Sequence, residues 1–410
     1  MLHSQSITNK CAAICYNKQI IVKKNTIYIE GLALVEGHFS GIGQYVLGIL
    51  QGLDTIIEMR KLTGENVPVV CVVIPRDTVP RFNSFGFKHI QYKTVPFSFR
   101  VMSALWHRRK MPPLDLFCGK GLYVFTRFVD MPLLFSKSCV IIYDLSYELF
   151  KQYSDEKNAL FLSNGVRKSI AKSERIITIS ESAKREIIEF YKYDPSKIVV
   201  AYPAADQRYF YKRSLDEIKA VKNKYGIKGE YIIALSNLEP RKNLDGLVEA
   251  YCSLPKATTD KIGLLLVGVN GWKIEKLFDK IVNRVGEGFN IMRPSHYVSD
   301  EDKPAIISGA KMLVYPSHYE GFGMPPLEAL ACGVPVITAN NSSLPEVVGR
   351  VGDTIDSNDT EGLTEAIKSN LEDWEKLAVK LRTAGPDQAT KFSWGKSAET
   401  ILDMAKDINK

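Results

Sequence analysis

The chain has 410 residues, 45% apolar and 24% charged, a formal net charge of +8 and seven cysteines. One core rarely serves such a length and the composition is that of a globular protein, so two domains are expected and a disordered or fibrous chain is excluded. No run of eighteen apolar residues offers a membrane span, the scattered cysteines have no metal-ligand spacing and read as reduced thiols, and the charge favours anionic partners only weakly.

Residues 1–24 are polar and interrupted by Lys10 and Lys18, so they lack the apolar centre of a secretory signal and form an extension of a chain expected to be cytoplasmic. From Asn25 onward, short apolar runs rich in branched residues alternate with helical patterns, as parallel strands joined by crossover helices do. Strands are predicted at 26–31, 67–74, 138–145, 174–180 and 197–202, making a first sheet. A second series runs through 230–236, 262–268, 290–294, 311–316 and 334–339, and the stretch 202–214, where the strand pattern stops at Pro203, is the linker. The fold class is thus α/β, with two Rossmann-like doubly wound domains over 25–205 and 206–390 facing each other across a cleft. The segment from 391 reads as a helix capped by Ser393 that reaches back over the first domain. Ligands of such sheets bind outside the carboxyl ends of the strands, so site residues are sought in the loops that follow them.

Residues 319–336, YEGFGMPPLEALACGVPV, place Glu320 and Glu328 with seven residues between them, around a Gly-Phe-Gly turn and two prolines. Pro325 and Pro326 have fixed φ and no N–H, which suits a first helical turn, and Gly333 suits the helix end. Gly321 and Gly323 permit positive φ and close approach, so the turn Gly321, Phe322, Gly323, Met324 leaves N–H groups pointing ahead of the helix. Such an end attracts anions, by roughly 0.3 to 1 kcal/mol for a phosphate. Carboxylates repel phosphate, so Glu320 and Glu328 are read as acceptors for hydroxyl groups on either side of a diphosphate, which describes a nucleotide sugar. Singly these features are ordinary loop and helix chemistry; their combination points to a site.

In LSNLEPRKNL (235–244) a strand ends near Ser236 and a helix begins near Asn243. Arg241 and Lys242 therefore sit on a strand-end loop, where two cations would neutralise a diphosphate leaving group; a solvated basic pair is the plainer reading. SGIGQY (40–45) opens an apolar-periodic helix, so Gly41 and Gly43 would let backbone approach a ligand, although the full dinucleotide fingerprint is absent. Asp300, Glu301 and Asp302 spell D-x-D, which holds a divalent metal in some proteins, but here it opens a helical stretch and Ser299 or Asp300 is read as an N-cap. No metal is expected. Residues 97–111 combine aromatic positions with Arg100, His107, Arg108, Arg109 and Lys110, and suit either an anionic membrane surface or simple packing on the first domain. Basic residues are interspersed with acids and no nucleic-acid recognition module is present.

The block at 320–336, with SGIGQY, YDLSYE (143–148), ITISESAK (177–184), LSNLEPRKNL, LLVGVNGW (265–272), YVSDED (297–302) and FSW (392–394) in the same order, resembles the E-x7-E family of retaining glycosyltransferases, family 4 of the GT-B fold. The resemblance spans nearly the whole chain. It implies a metal-independent retaining hexosyltransferase without a cofactor, moving a hexose or deoxyhexose from a nucleotide diphosphate sugar, with a lean to mannose from GDP-mannose, to a glycan or lipid-linked saccharide as acceptor, with peripheral membrane contact compatible. It also implies that Gly43 lies near the transferred sugar or its phosphate and that the backbone of Tyr297 and Val298 meets the nucleobase. Arg241, Lys242 and the helix near Pro325 would stabilise the departing phosphate, while Glu320 grips sugar hydroxyls and Glu328 the ribose. Relatives carry histidine at Tyr143, followed by the same Asp144, and many carry arginine at Ser236. Tyr143 would then either offer its hydroxyl to the donor sugar or mark the loss of that role, and Asp144 serves equally as a structural cap. A sugar-nucleotide epimerase, a phosphorylase and a non-catalytic nucleotide-sugar-binding protein are the alternatives.

Overall fold

The computed structural model describes residues 26–36, 40–108, 110–153 and 155–409, so the extension 1–24 and Arg109 lie outside the described residues. Seven strands, β1 (Thr26–Glu30), β2 (Val69–Pro75), β3 (Gln91–Val95), β4 (Leu122–Phe125), β5 (Lys137–Ile142), β6 (Arg175–Thr178) and β7 (Ile198–Val200), form one sheet in the order β3-β2-β1-β4-β5-β6-β7. Six more, β8 (Glu230–Leu235), β9 (Ile262–Val267), β10 (Ile291–Met292), β11 (Leu313–Tyr315), β12 (Val336–Ala339) and β13 (Asp353–Ile355), form a second in the order β10-β9-β8-β11-β12-β13. Every pairing is parallel, as the α/β reading expects.

Both faces of each sheet are covered, which is why the central strands are continuous apolar runs. Along β1, Ile27 and Ile29 enter one core while Tyr28 enters the other. Along β9, Leu265 and Val267 face one side and Leu264 and Leu266 the opposite one. Strands β3, β4 and β13 were not anticipated. The edge strands β3 and β13 are mostly exposed or half-buried and read as polar, and β4 has only four residues behind a glycine-rich turn. The strand order reverses between β1 and β4 and between β8 and β11, which opens a crevice at the strand ends of each sheet.

The last helix, Trp394–Ile408, lies on the Gly41–Leu62 helix of the first sheet. The approach depends on two glycines: a Cβ on Gly48 would sit 2.3 Å from the Trp394 ring, and one on Gly52 would sit 2.4 Å from the Trp394 carbonyl oxygen. Ser393 occupies the extended N-cap position, but its side chain makes no capping hydrogen bond, so packing rather than the predicted cap holds this helix. Phe322, Leu327 and Phe392, beside the second sheet, enter the same core as Tyr45 and Tyr143, so the two halves share apolar surface. The Phe99–His107 helix buries Met102 and Trp106 against the first sheet and leaves Val101 exposed. Among the described residues no helix is long and apolar enough to cross a membrane.

Candidate active site

The loop after β8 tightens into a 3-10 turn, Pro240–Lys242, ended by Asn243 at φ 52°, whose side chain accepts from Gly246 N and caps the next helix. This turn aims Arg241 and Lys242 at the loop after β11. Room for it comes from the loop after β9: a Cβ on Gly268 would lie 1.8 Å from the Ser236 carbonyl oxygen, at a φ of 153° that favours glycine. Lys242 Nζ donates to Glu320 Oε1 at 2.6 Å and to Tyr315 OH at 3.1 Å. Arg241 NH1 donates to Glu320 Oε2 at 3.1 Å and to Tyr319 O at 2.8 Å, and its NH2 donates to Glu239 Oε1 at 2.8 Å.

Arg241, Lys242 and Glu320 are thus one cluster, with Glu239 as a fourth member that sequence reading missed although it lies in the same motif. The two cations are balanced by the two carboxylates, so the cluster carries no excess positive charge. The plainer reading of a solvated basic pair does not hold, since both cations are paired with acids. Burial works to raise the Glu320 pKa, but Lys242 and Arg241 overcome it and hold the carboxyl at about 2. Burial, joined by the Arg241 charge, pulls the Lys242 ammonium down against the opposing effect of Glu320, whose carboxylate it meets at 2.6 Å.

Beyond Glu320 the chain turns through Gly323, at φ 108°, into the helix Met324–Ala331 with prolines in its first turn. Gly333, at φ 67°, follows it, and Val334 N closes back onto Ala329 O at 2.9 Å. The turn is held from behind: Ser343 Oγ donates to Glu320 O and Phe322 O, and Ser342 Oγ accepts from Glu320 N. Among the described residues, the N–H groups of Gly323 and Met324 have no hydrogen-bond partner. Met324 and Pro325 are partly exposed. Gly321 is needed for close approach, since a Cβ there would lie 2.8 Å from Tyr143 O. Phe322 is only 3% exposed and packs edge-on against Phe392, so its expected donor contact is corrected to a core role.

Glu328 is buried, and burial, opposed by Lys303 and aided by Asp300, pushes its carboxyl up to about 7. Tyr297 is exposed and Val298 buried, on the segment leading to Asp300. The carboxylate of Asp300 pairs with Lys303, and that of Asp302 accepts from Lys224 at 2.6 Å and Tyr225 OH at 2.7 Å. The helix here starts at Lys303 with Asp302 in the cap position and no side-chain capping bond, which corrects the expected Ser299 or Asp300 cap. Among the described residues no group of three or more metal-ligating side chains comes together.

In the first domain, Ser40 Oγ accepts from Gly43 N at 3.2 Å, so Gly43 spends its N–H on the helix cap; Gly41 is exposed with open space around it. Tyr143 is 6% exposed and its hydroxyl donates to Thr126 O at 2.9 Å, with Tyr45 and Phe128 edge-on against the ring. Its predicted sugar contact is therefore corrected: the side chain points into the first domain's core. Asp144 Oδ1 accepts from the N and Oγ of Ser146, a local cap, while its side chain lies against Gly321.

Solved structures of the same architecture include glycosyltransferases. The Anabaena protein HepE in complex with UDP and glucose matches 93% of this chain and all of that one, with a TM-score of 0.66 at 15% identity. WaaG, a glycosyltransferase involved in lipopolysaccharide biosynthesis, covers 92% of this chain and 99% of its own at a TM-score of 0.60 and 16% identity. At such identities the likeness shows the fold. The sequence pattern of the family Glycosyl transferases group 1 matches residues 217–388, which include the whole charged cluster. An O-antigen chain mannosyltransferase B of Escherichia coli is 34% identical over 279 residues, 67% of this chain and 72% of that protein. The serotype-specific mannosyltransferase WbdA of Escherichia coli is 29% identical over 237 residues, 57% of this chain but 28% of that protein. The chain belongs to the glycosyl transferases group 1 family.

Proposed function

We propose that this glycosyltransferase is a retaining, metal-independent hexosyltransferase that moves mannose from GDP-mannose to a hydroxyl of a glycan or lipid-linked saccharide. The observation that carries the reading is the ionised Glu320, fixed by Lys242 and Arg241 one turn before the unpartnered N–H groups of Gly323 and Met324. Those N–H groups receive phosphate oxygens, with the helix dipole behind them. Glu320, unable to hold a proton near neutrality, accepts hydroxyl groups of the sugar. Glu328 meets the ribose, and the backbone at Tyr297 and Val298 meets the base. Similarity to two mannosyltransferases supports the choice of sugar.

As the bond from the sugar carbon to the phosphate oxygen breaks, charge grows on the phosphate beside Lys242 and Arg241, whose hydrogen bonds shift from Glu320 and Tyr319 toward it. The acceptor oxygen bonds to the same carbon on the same face and its proton passes to the departing phosphate. Configuration is then retained without a nucleophile from the protein. Because the cluster is neutral before the donor arrives, binding relies on the helix end and on Glu328 sharing a proton near neutral pH.

The acceptor side is the first domain, on the cytoplasmic face of the membrane. Exposed Leu116, Phe117, Leu134 and Phe135 project from adjoining turns joined by Asp115, whose carboxylate accepts from Leu134 N and Phe135 N, and suit peripheral contact with lipid. Incubation with GDP-mannose and a lipid-linked saccharide, followed by NMR of the product, tests the reading. An α-mannoside formed equally well in excess chelator is expected. A β-linked product, or free mannose alone with every acceptor offered, would sink it.

A further inference from the structure

The loop that carries Glu320 is gripped by the first domain. Tyr319, 3% exposed, has its ring against Phe150 at 4.7 Å. Its hydroxyl accepts from Leu145 N at 3.0 Å and donates to Glu186 Oε2 at 2.5 Å, so both of its polar partners lie on the other side of the interdomain crevice. At the bridging residue and the one after it, Arg241 holds Tyr319 O and Glu320 Oε2. Ser180 Oγ donates to Gly321 O at 2.9 Å, and Glu346 of the second domain accepts from Glu181 N and from Tyr202 OH, so the seam continues along one edge. Phenylalanine would fill the same volume at 319. The hydroxyl adds a connection between domains and nothing else.

We infer that Tyr319 and Glu186 are positioning residues, which couple closure of the two domains to the setting of Glu320 and Arg241 for transfer. This rests on the proposed function for its catalytic half. The bridge is strongest with Glu186 ionised, because a carboxylate only accepts, leaving the tyrosine proton directed at it and a lone pair free for Leu145 N. The groups facing Glu186 are Tyr319, Asp144, Arg185 and Glu189; burial first, then Asp144 and Glu189, push its carboxyl up to about 7 against Tyr319 and Arg185. Its raised pKa means that the proton leaves, and the bridge tightens, as pH rises through about 7.

The test uses Tyr319→Phe, Glu186→Gln and the double variant of the full chain. Hydrogen exchange of the Leu145 amide reads the bridge without any substrate, and should quicken by roughly tenfold or more in Tyr319→Phe. Turnover should fall roughly ten- to a hundredfold in each single variant at little change in KM for the donor, the double variant being no worse than either. The rise of kcat through neutral pH should flatten in Glu186→Gln. Unchanged exchange at Leu145, additive losses in the double variant, or a rising pH limb that survives in Glu186→Gln would each overturn the inference. A wild-type chain that transfers nothing, with Leu145 still slow in it and fast in Tyr319→Phe, strikes down the proposed function and with it the catalytic half, but not the bridge.

Discussion

Glu320 and Glu328 lie on one short stretch of chain yet behave oppositely toward protons. Lys242 and Arg241 keep the first ionised, whereas the second is buried with Lys303 only partly compensating. For Glu320, with a folded pKa of about 2 against an ordinary 4.5, the stabilisation is present above pH 4.5 and is lost as pH falls toward 2. For Glu328, raised to about 7, stability is full below 4.5 and declines as pH rises through 7. Glu328→Gln should therefore remove part of the loss of melting temperature between about pH 5.5 and about pH 8.5, an effect read by thermal scans in both buffers. Removing one partner of a buried pair typically costs about 3 to 5 kcal/mol, so Lys242→Ala should weaken the fold by about 3 kcal/mol, Arg241 still serving Glu320, in urea unfolding. The buried pair therefore holds the fold as well as the site. Why the sequence did not disclose it is physical: adjacent basic residues look alike whether solvated or paired, and Glu320, the partner of Lys242, is 78 residues away. Tyr143 was misread for a related reason, since a place in a motif says where the backbone goes and not which way the ring turns.

Helices and turns were the most legible level. Prolines, glycines and the switch from strand to helix periodicity place the Met324–Ala331 helix and the turn before it from local chemistry alone. The edge strands β3 and β13 escaped because half-exposed strands need no apolar run. The glycines of the Gly41–Leu62 helix divide by what surrounds them. Gly48→Ala would press a methyl into the Trp394 ring and should destabilise by about 1 to 3 kcal/mol, measured by chemical unfolding. Gly41→Ala meets nothing within 4 Å and should stay within about 0.5 kcal/mol of the parent, so any rise in its KM for the donor reports on binding.

Across the whole molecule, the two sheets bring their strand ends together around a core that both halves share, with Phe322 and Phe392 meeting Tyr45 and Tyr143. A ligand seated between them binds only the folded state. GDP-mannose at a hundredfold excess over its dissociation constant should then add about 2.7 kcal/mol of stability, visible as a melting shift that UDP and ADP sugars do not match. The alternation of strand and helix made this architecture readable, while the seam between halves was not, because Tyr319 and Glu186 are 133 residues apart. The Trp394–Ile408 helix carries a last implication, for biosynthesis. Its apolar face, Ile401, Leu402 and Ile408 among it, completes the hydrophobic interior of the domain built on the first sheet. A nascent chain therefore cannot finish that domain until this helix has emerged from the ribosome, so the first sheet, though made before the second, becomes stable only after the second has been translated.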